Sequence, residues 1–167
     1  LIIGLPAAYG LARHPGWLSR LLEEFISLPL AVPGLALALA LLQVYGSIKG
    51  FRASWTFILA GHVLYTLPFM VRSILAVLAS MDLKTLEEGA ASLGASPWQR
   101  FRDIVVPNAM PGILAGALTV VTLSIGDVNI TEMLHTPYLK TLPVGLADSY
   151  ASMRLEIASA YTLVFFI

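Results

Sequence analysis

Apolar and polar positions fall in blocks along the 167-residue chain. Three complete uncharged runs stand out, Phe25 to Tyr45, Ala53 to Val71 and Ile104 to Gly126, of 21, 19 and 23 residues. A helix needs about 20 apolar residues to cross the roughly 30 Å hydrocarbon core, so each run predicts a membrane span. Two shorter runs, Leu1 to Ala12 and Ile157 to Ile167, reach only about half that thickness at ~1.5 Å per residue. They are expected to be spans cut by the ends of the sequence, an internal piece of a longer protein. No run alternates with the period of two that barrel strands require, and backbone groups in lipid must bond internally. The predicted class is all-α, a polytopic transmembrane helical bundle.

Breaks within the runs refine this picture. Pro29 and Pro33 fall in the first span and Pro68 in the second, where each removes a helix donor and bends the chain. Passive bending is the simpler reading, ahead of gating. Gly112 and Gly116 form a small-xxx-small pair that allows close helix approach. Charges collect in the connections Arg13 to Arg20, Ser47 to Arg52, Met81 to Asp103 and Asp127 to Glu156. Arg13, Arg20, Lys84, Arg100 and Arg102 on one side face Lys49, Arg52, Lys140 and Arg154 on the other. That balance barely favours a cytoplasmic Met81 to Asp103 under the positive-inside rule. Arg72 follows the second run, and its long stem is read as snorkelling to the interface.

Composition narrows the function classes. Hydrophobic residues make up 57% of the chain and charged ones 12%, too little polar surface for a soluble fold of this size. Ten basic residues balance ten acidic ones, so the positive excess of a nucleic-acid binder is missing. Without cysteine there is no thiolate metal site, disulfide or Cys nucleophile. His14, His62 and His135 stand far apart without metal-ligand spacing, and His62 is read as a helix-packing polar contact. Neither G-x-S-x-G nor H-E-x-x-H occurs, and no G-x-x-x-x-G-K-[ST] run supplies a phosphate loop. Neither a catalytic nor a metal site is expected.

The segment Met81 to Pro107 carries the most information. It predicts two short helices. Thr85 and Glu88 form a T-x-x-E capping box for the first, and Gly94 a left-handed stop. Leu86, Ala90 and Leu93 share a face of that helix. Ser96, Pro97 and Gln99 begin the second with an S-x-x-Q box, Trp98, Phe101 and Val105 form its stripe, and Pro107 is expected to end it. Such helices suit either a loop resting on the membrane surface or docking into a partner's groove.

Glu87-Glu88-Gly89-Ala90-Ala91-Ser92-Leu93-Gly94, followed after nine residues by Ile104-Val105-Val106-Pro107, resembles the EAA loop of binding-protein-dependent ABC transporter permeases. Glu88, Ala90, Gly94, Ile104 and Pro107 match the family positions, while Gly89 replaces an Ala and Val106 a Leu. Gly89 weakens the short helix by about 1 kcal/mol relative to Ala. Leu28-Pro29-Leu30-Ala31-Val32-Pro33-Gly34, Leu67-Pro68-Phe69 and Thr141-Leu142-Pro143-Val144 also look like the family. The resemblance extends over nearly the whole chain, one permease domain across 1–167 with a coupling segment at 81–107.

The resemblance implies a multi-pass permease in a bacterial cytoplasmic membrane. Its implied partners are ABC ATPase subunits, a second permease subunit, identical or related, an external solute-binding protein and the lipid bilayer. The chain itself would bind no cofactor, with ATP and magnesium on the ATPase. Glu87, Glu88, Gly89, Ala90, Gly94, Ala95, Pro97, Ile104 and Pro107 are the expected coupling residues, and Gly94→Asp is expected to uncouple transport without blocking insertion. Asp127, Asn129, Thr131 and Glu132 follow the third span in apolar surroundings. They are candidate substrate-pathway groups, although Asp127 equally suits the outer interface. The expected cargo is a polyamine or other small organic cation, with 2-aminoethylphosphonate, ferric iron, thiamine and sulfate also handled by this group. A secondary transporter or channel shares broken helices and sparse charges; an intramembrane enzyme would need a nucleophile and base facing each other, and only His62 is a candidate base.

Overall fold

A computed structural model describes residues 1–166. Helices make up the regular structure among these residues: α1 (Gly4–Arg13), α2 (Trp17–Ala31), α3 (Gly34–Tyr45), α4 (Lys49–Arg52), α5 (Trp55–Ala79), α6 (Leu83–Ser92), α7 (Pro97–Arg100), a π-helical turn (Phe101–Val105), α8 (Val106–Gly126), α9 (Asn129–Leu134), α10 (Leu142–Ala151) and α11 (Leu155–Phe166). Two helical stretches, Trp55–Ala79 and Pro97–Gly126, are long and apolar enough to cross a membrane, as the second and third runs predict.

The first run departs from expectation. It is two helices rather than one, with α2 ending at Ala31 and α3 starting at Gly34. Pro33 occupies the N-cap of α3 with ψ 137°, the extended backbone in which a proline starts a helix but cannot continue one. Counting uncharged residues also misplaces the start of α2. It begins at Trp17 and carries Arg20, Glu23 and Glu24 through its first half. Likewise α5 runs past Val71 to Ala79, with Arg72 exposed and its Nε donating to Ser27 Oγ at 3.1 Å.

Contacts group the chain into two compact units, Leu1–Leu28 with Thr66–Thr122, and Pro29–Tyr65 with Leu123–Ile167. In the first, Leu5, Ala8 and Leu11 of α1 meet Val71, Ile74 and Leu78 of α5 and Val105, Ala109 and Ile113. The Gly112 and Gly116 pair performs the close approach expected of it. A Cβ on Gly112 would lie 2.7 Å from the Ser73 carbonyl oxygen, and one on Gly116 would lie 2.8 Å from Met70 Sδ. Ser73 Oγ donates to Gly112 O at 3.0 Å across the same crossing.

The second unit is centred on Ala38, Phe57, Ile130 and Leu134. Here the stretch Asp127 to Glu156, which charge alone marks as a connection, contains α9 and α10 with Ile130, Leu134 and Val144 buried. Arg52 at the end of α4 donates to Leu134 O at 2.8 Å and to His135 O at 3.3 Å. A cation thus satisfies carbonyls at the C-terminus of α9, where the helix dipole favours positive charge.

Candidate functional site

Segment 81–107 forms two helical arms joined by a tight turn. The first arm starts earlier than its sequence suggests. Asp82, not Thr85, is the N-cap of α6: its carboxylate accepts from Thr85 N at 3.2 Å and from the Thr85 hydroxyl at 2.6 Å. Thr85 is a donor to the cap because its own N–H lies at the third helical position. These two bonds hold the Asp82 carboxyl below the ordinary carboxylate range, the hydroxyl first and the amide second.

The far end of α6 closes as predicted. Gly94 has φ +83°, Ala95 N donates to Ala90 O at 3.0 Å and Gly94 N to Ala91 O at 2.9 Å. That pair of bonds is the Schellman arrangement, which satisfies carbonyls left open at a helix end. Ser96 then caps α7 with the expected reciprocal box: Ser96 N donates to Gln99 Oε1 at 2.7 Å and Gln99 N to Ser96 Oγ at 3.3 Å. Pro97 occupies the first turn.

Pro107 does not stop the second arm. It is the second residue of α8, and the helix is continuous from Pro97 to Gly126 through the π turn. Val106 N reaches Phe101 O in that wider turn. The extra residue in the ring opens the hydrogen-bond ladder just where proline brings no donor. Segment 81–107 is therefore rooted directly in a helix long and apolar enough to cross a membrane, with Ile104 half-buried and Val105 fully buried at the root.

The two adjacent glutamates face opposite ways. Glu88 is exposed and lies 3.8 Å from Lys84 Nζ, whereas Glu87 is only 4% exposed. Tyr9 Oη donates to Glu87 Oε1 at 2.5 Å, and Arg13 Nε lies 3.5 Å from Glu87 Oε2. The predicted apolar face of α6 is not the one turned inward. Leu83 and Glu87 are buried, while Leu86 is 43% and Leu93 90% exposed. Gly89, Gly94 and Pro97 are exposed, with Ala90 and Ala95 half-buried. In the second arm exposure falls along the stripe: Trp98 is 66% exposed, stacks at 5.7 Å on half-buried Phe101, and Val105 is closed off. Leu86, Leu93 and Trp98 thus leave apolar area exposed on the segment, which also carries the exposed Glu88 carboxylate.

The candidate pathway residues gather elsewhere, about α9. Asp127 stands one residue before Val128, the N-cap of α9, and caps the helix from there, its Oδ2 accepting from Ile130 N at 3.1 Å and Thr131 N at 3.3 Å. Thr131 is fully buried. Its hydroxyl lies 2.7 Å from His62 Nε2, and Ser124 Oγ lies 2.8 Å from His62 Nδ1. The imidazole of His62 is therefore the packing contact expected of it, bonded on both ring nitrogens, with Asp127 Oδ2 at 3.9 Å. Asn129 is exposed and Glu132 half-buried, its Oε2 enclosed without a hydrogen-bond partner among the described residues. Beside His62 and Ser124 lies a cavity of about 570 Å³ walled by Trp55, Leu59, Ile125 and Pro143. No cluster of three or more His, Cys, Asp or Glu side chains suited to a metal occurs among the described residues.

Sequence reasoning missed the inward role of Glu87 and the contribution of Tyr9 and Arg13. The signal available was faint: Tyr9 and Arg13 stand four apart on one helix face, with nothing local to name their partner. Comparison with known proteins gives a model match over residues 1–167 to the family described as binding-protein-dependent transport system inner membrane component. A probable sulfate transport system permease protein of Chlorella vulgaris is 31% identical over 81% of this chain and 54% of its own length. A Salmonella typhimurium protein provisionally named a 2-aminoethylphosphonate transport system permease is 28% identical over 98% of this chain and 62% of its own. The spermidine/putrescine transport system permease protein of Escherichia coli is 29% identical over 94% and 58% respectively. The chain thus spans 54 to 62% of the length of these relatives.

Proposed function

The chain belongs to the family of binding-protein-dependent transport system inner membrane components, and from that premise we propose that it forms the membrane path of an ATP-driven importer. Segment 81–107 is the part that meets a separate ATPase subunit, which holds ATP and magnesium. The observation that carries this reading is the build of that segment: two arms capped at Asp82 and Ser96, locked at Gly94, and continuous with α8. A stiff, continuous element transmits displacement, whereas a floppy loop absorbs it. Exposed Leu86, Leu93 and Trp98, with exposed Glu88 on the same segment, supply the mixed apolar and charged composition of a docking surface.

In this reading ATPase closure pushes the segment, and α8 carries the push across the membrane to switch the path between inward and outward openings. A second permease subunit completes the path, a solute-binding protein delivers cargo from outside, and the location is a bacterial cytoplasmic membrane. The cargo is a small organic cation of the polyamine kind. Glu132 Oε2, enclosed without a hydrogen-bond partner among the described residues, is the acceptor that suits it, because a buried carboxylate oxygen with no partner there gains most from a cation. Asp127 and Thr131 shape the wall through the cap and the His62 bond, and Asn129 lies exposed beside them.

The test is purification of the full-length permease with its ATPase, followed by uptake of a polyamine against 2-aminoethylphosphonate and sulfate. Recovery of the ATPase with wild type and its loss when Glu88 and Trp98 are replaced supports the docking reading. Uptake that continues without any ATPase points to a secondary transporter or channel, and preferred uptake of either anion overturns the cargo assignment.

A further inference from the structure

Two arms of the coupling segment converge on a single residue of α1. Tyr9 Oη donates to Glu87 Oε1 at 2.5 Å, on the first arm. Its ring lies 5.3 Å from that of Phe101, on the second. Arg13, one helical turn along α1, donates from Nη1 to Tyr9 Oη at 2.8 Å and sits 3.5 Å from Glu87 Oε2. The Glu87 side chain is 6% exposed and that of Arg13 38%. We propose that Tyr9 and Arg13 latch the coupling segment to α1 through Glu87, so that α1 moves with the segment when the ATPase engages it.

Electrostatics holds the latch closed. Glu87 is buried on the Leu83 face of α6; among the described residues its carboxylate pairs with one hydroxyl and one guanidinium, both from α1, while Lys84 and Arg100 line the same pocket. Pulling α6 away from α1 would strand a carboxylate in low dielectric, which costs more than the bonds themselves contribute. The cheapest displacement of the segment is therefore one that takes α1 along. Phe101, pinned between Tyr9 and Trp98, gives the second arm the same attachment. Tyr9, Arg13 and Glu87 are thus positioning residues. The inference rests on the coupling role proposed above and adds the route by which displacement reaches a second helix.

The experiment uses two readouts on the full-length permease. Hydrogen exchange of the amides in 83–92 is measured on the permease alone in lipid nanodiscs, and cargo moved per ATP hydrolysed on the permease assembled with its ATPase in vesicles. Tyr9→Phe keeps the ring and removes the hydroxyl, and Glu87→Gln keeps the size and removes the charge. Each is expected to raise exchange on the order of tenfold, as loss of a hydrogen bond to a charged group does, and to lower cargo per ATP several-fold. The double variant is expected to be no worse than the worse single, and Arg13→Lys to retain most of the ratio. A purely structural contact would change exchange and leave cargo per ATP untouched, which overturns the latch. So does unchanged exchange, or single effects that multiply in the double variant. Gly94→Asp separates the layers. Loss of coupling there with a normal ratio in Glu87→Gln keeps the coupling reading and removes the latch; no ATPase recovered with wild type removes both.

Discussion

Replacement of Gly94 tests whether the turn between the two arms matters through its backbone or through the space around it. A Cβ at Gly94 would meet nothing within 4 Å, so crowding is irrelevant and only φ +83° opposes a side chain. An L-residue in that region costs about 1 to 2 kcal/mol, with Asn and Asp at the low end and β-branched residues worst. Against this stand the bonds from Ala95 N to Ala90 O and Gly94 N to Ala91 O, together worth about 1 to 3 kcal/mol net. Alanine brings the two sides near balance and makes the turn open about 5 to 30 times more often; valine tips it over. The expected order for cargo uptake at equal membrane level is Gly, then Asn, then Ala, then Val, and exchange of the Ala95 amide should rise in the same order. Gly94→Asp adds charge to the Asn geometry, so loss of coupling in Asp but not Asn assigns the defect to the charge on an exposed docking surface. Asn as damaging as Val, or Ala and Val both equal to Gly, would refute the backbone argument.

Other expectations follow from the same geometry. Gly112→Val places a Cβ 2.7 Å from Ser73 O and 3.0 Å from Ile74 Cα, backbone atoms that cannot rotate aside; the full-length protein should lose about 1 to 3 kcal/mol by overpacking, read as a lower unfolding midpoint in detergent. Asp127→Asn should retain uptake because an acceptor still faces Ile130 N and Thr131 N, whereas Asp127→Ala loses the cap at about 0.5 to 2 kcal/mol and Glu132→Gln loses cation uptake; equal loss in Asp127→Asn would move the cargo contact to Asp127. The Asp82 carboxyl is held below its usual value by Thr85, so its cap is fully present above the unfolded carboxylate range and is lost as pH falls through the lower folded value. Exchange in the first turn of α6 should therefore increase at acid pH beyond the intrinsic dependence, and Asp82→Ala should abolish that increase.

The sequence discloses those features whose cause is local. Ser96 and Gln99 lie within one turn of each other, so the box at α7 can be read directly, and Gly94 is left-handed because its neighbours end a helix there. Uncharged runs locate α5 and α8, since lipid sets both length and composition. Features decided by more distant groups are hidden. Thr85 and Asp82 are both good caps by type, and only the folded backbone makes one the donor to the other. Glu87 and Glu88 are adjacent and alike in sequence, yet Tyr9, 78 positions away, turns the first inward. Pro107 reads as a stop because its usual effect is to end a helix, and the π turn that absorbs it leaves no compositional mark. Asp127 reads as a pathway charge or an interfacial one, and its role as a cap emerges only with α9.

Contact between segment 81–107 and the ATPase is read by placing a photo-crosslinking amino acid at Glu88, Leu93 or Trp98 of the full-length permease, and at Tyr138, which follows α9 in the chain, as the control. Tyr138 is 95% exposed and Trp98 66%, so accessibility alone favours the control. Crosslinks to the ATPase are expected from Glu88, Leu93 and Trp98 and none from Tyr138. Crosslinks from Tyr138 with none from Glu88, Leu93 or Trp98 would contradict that contact.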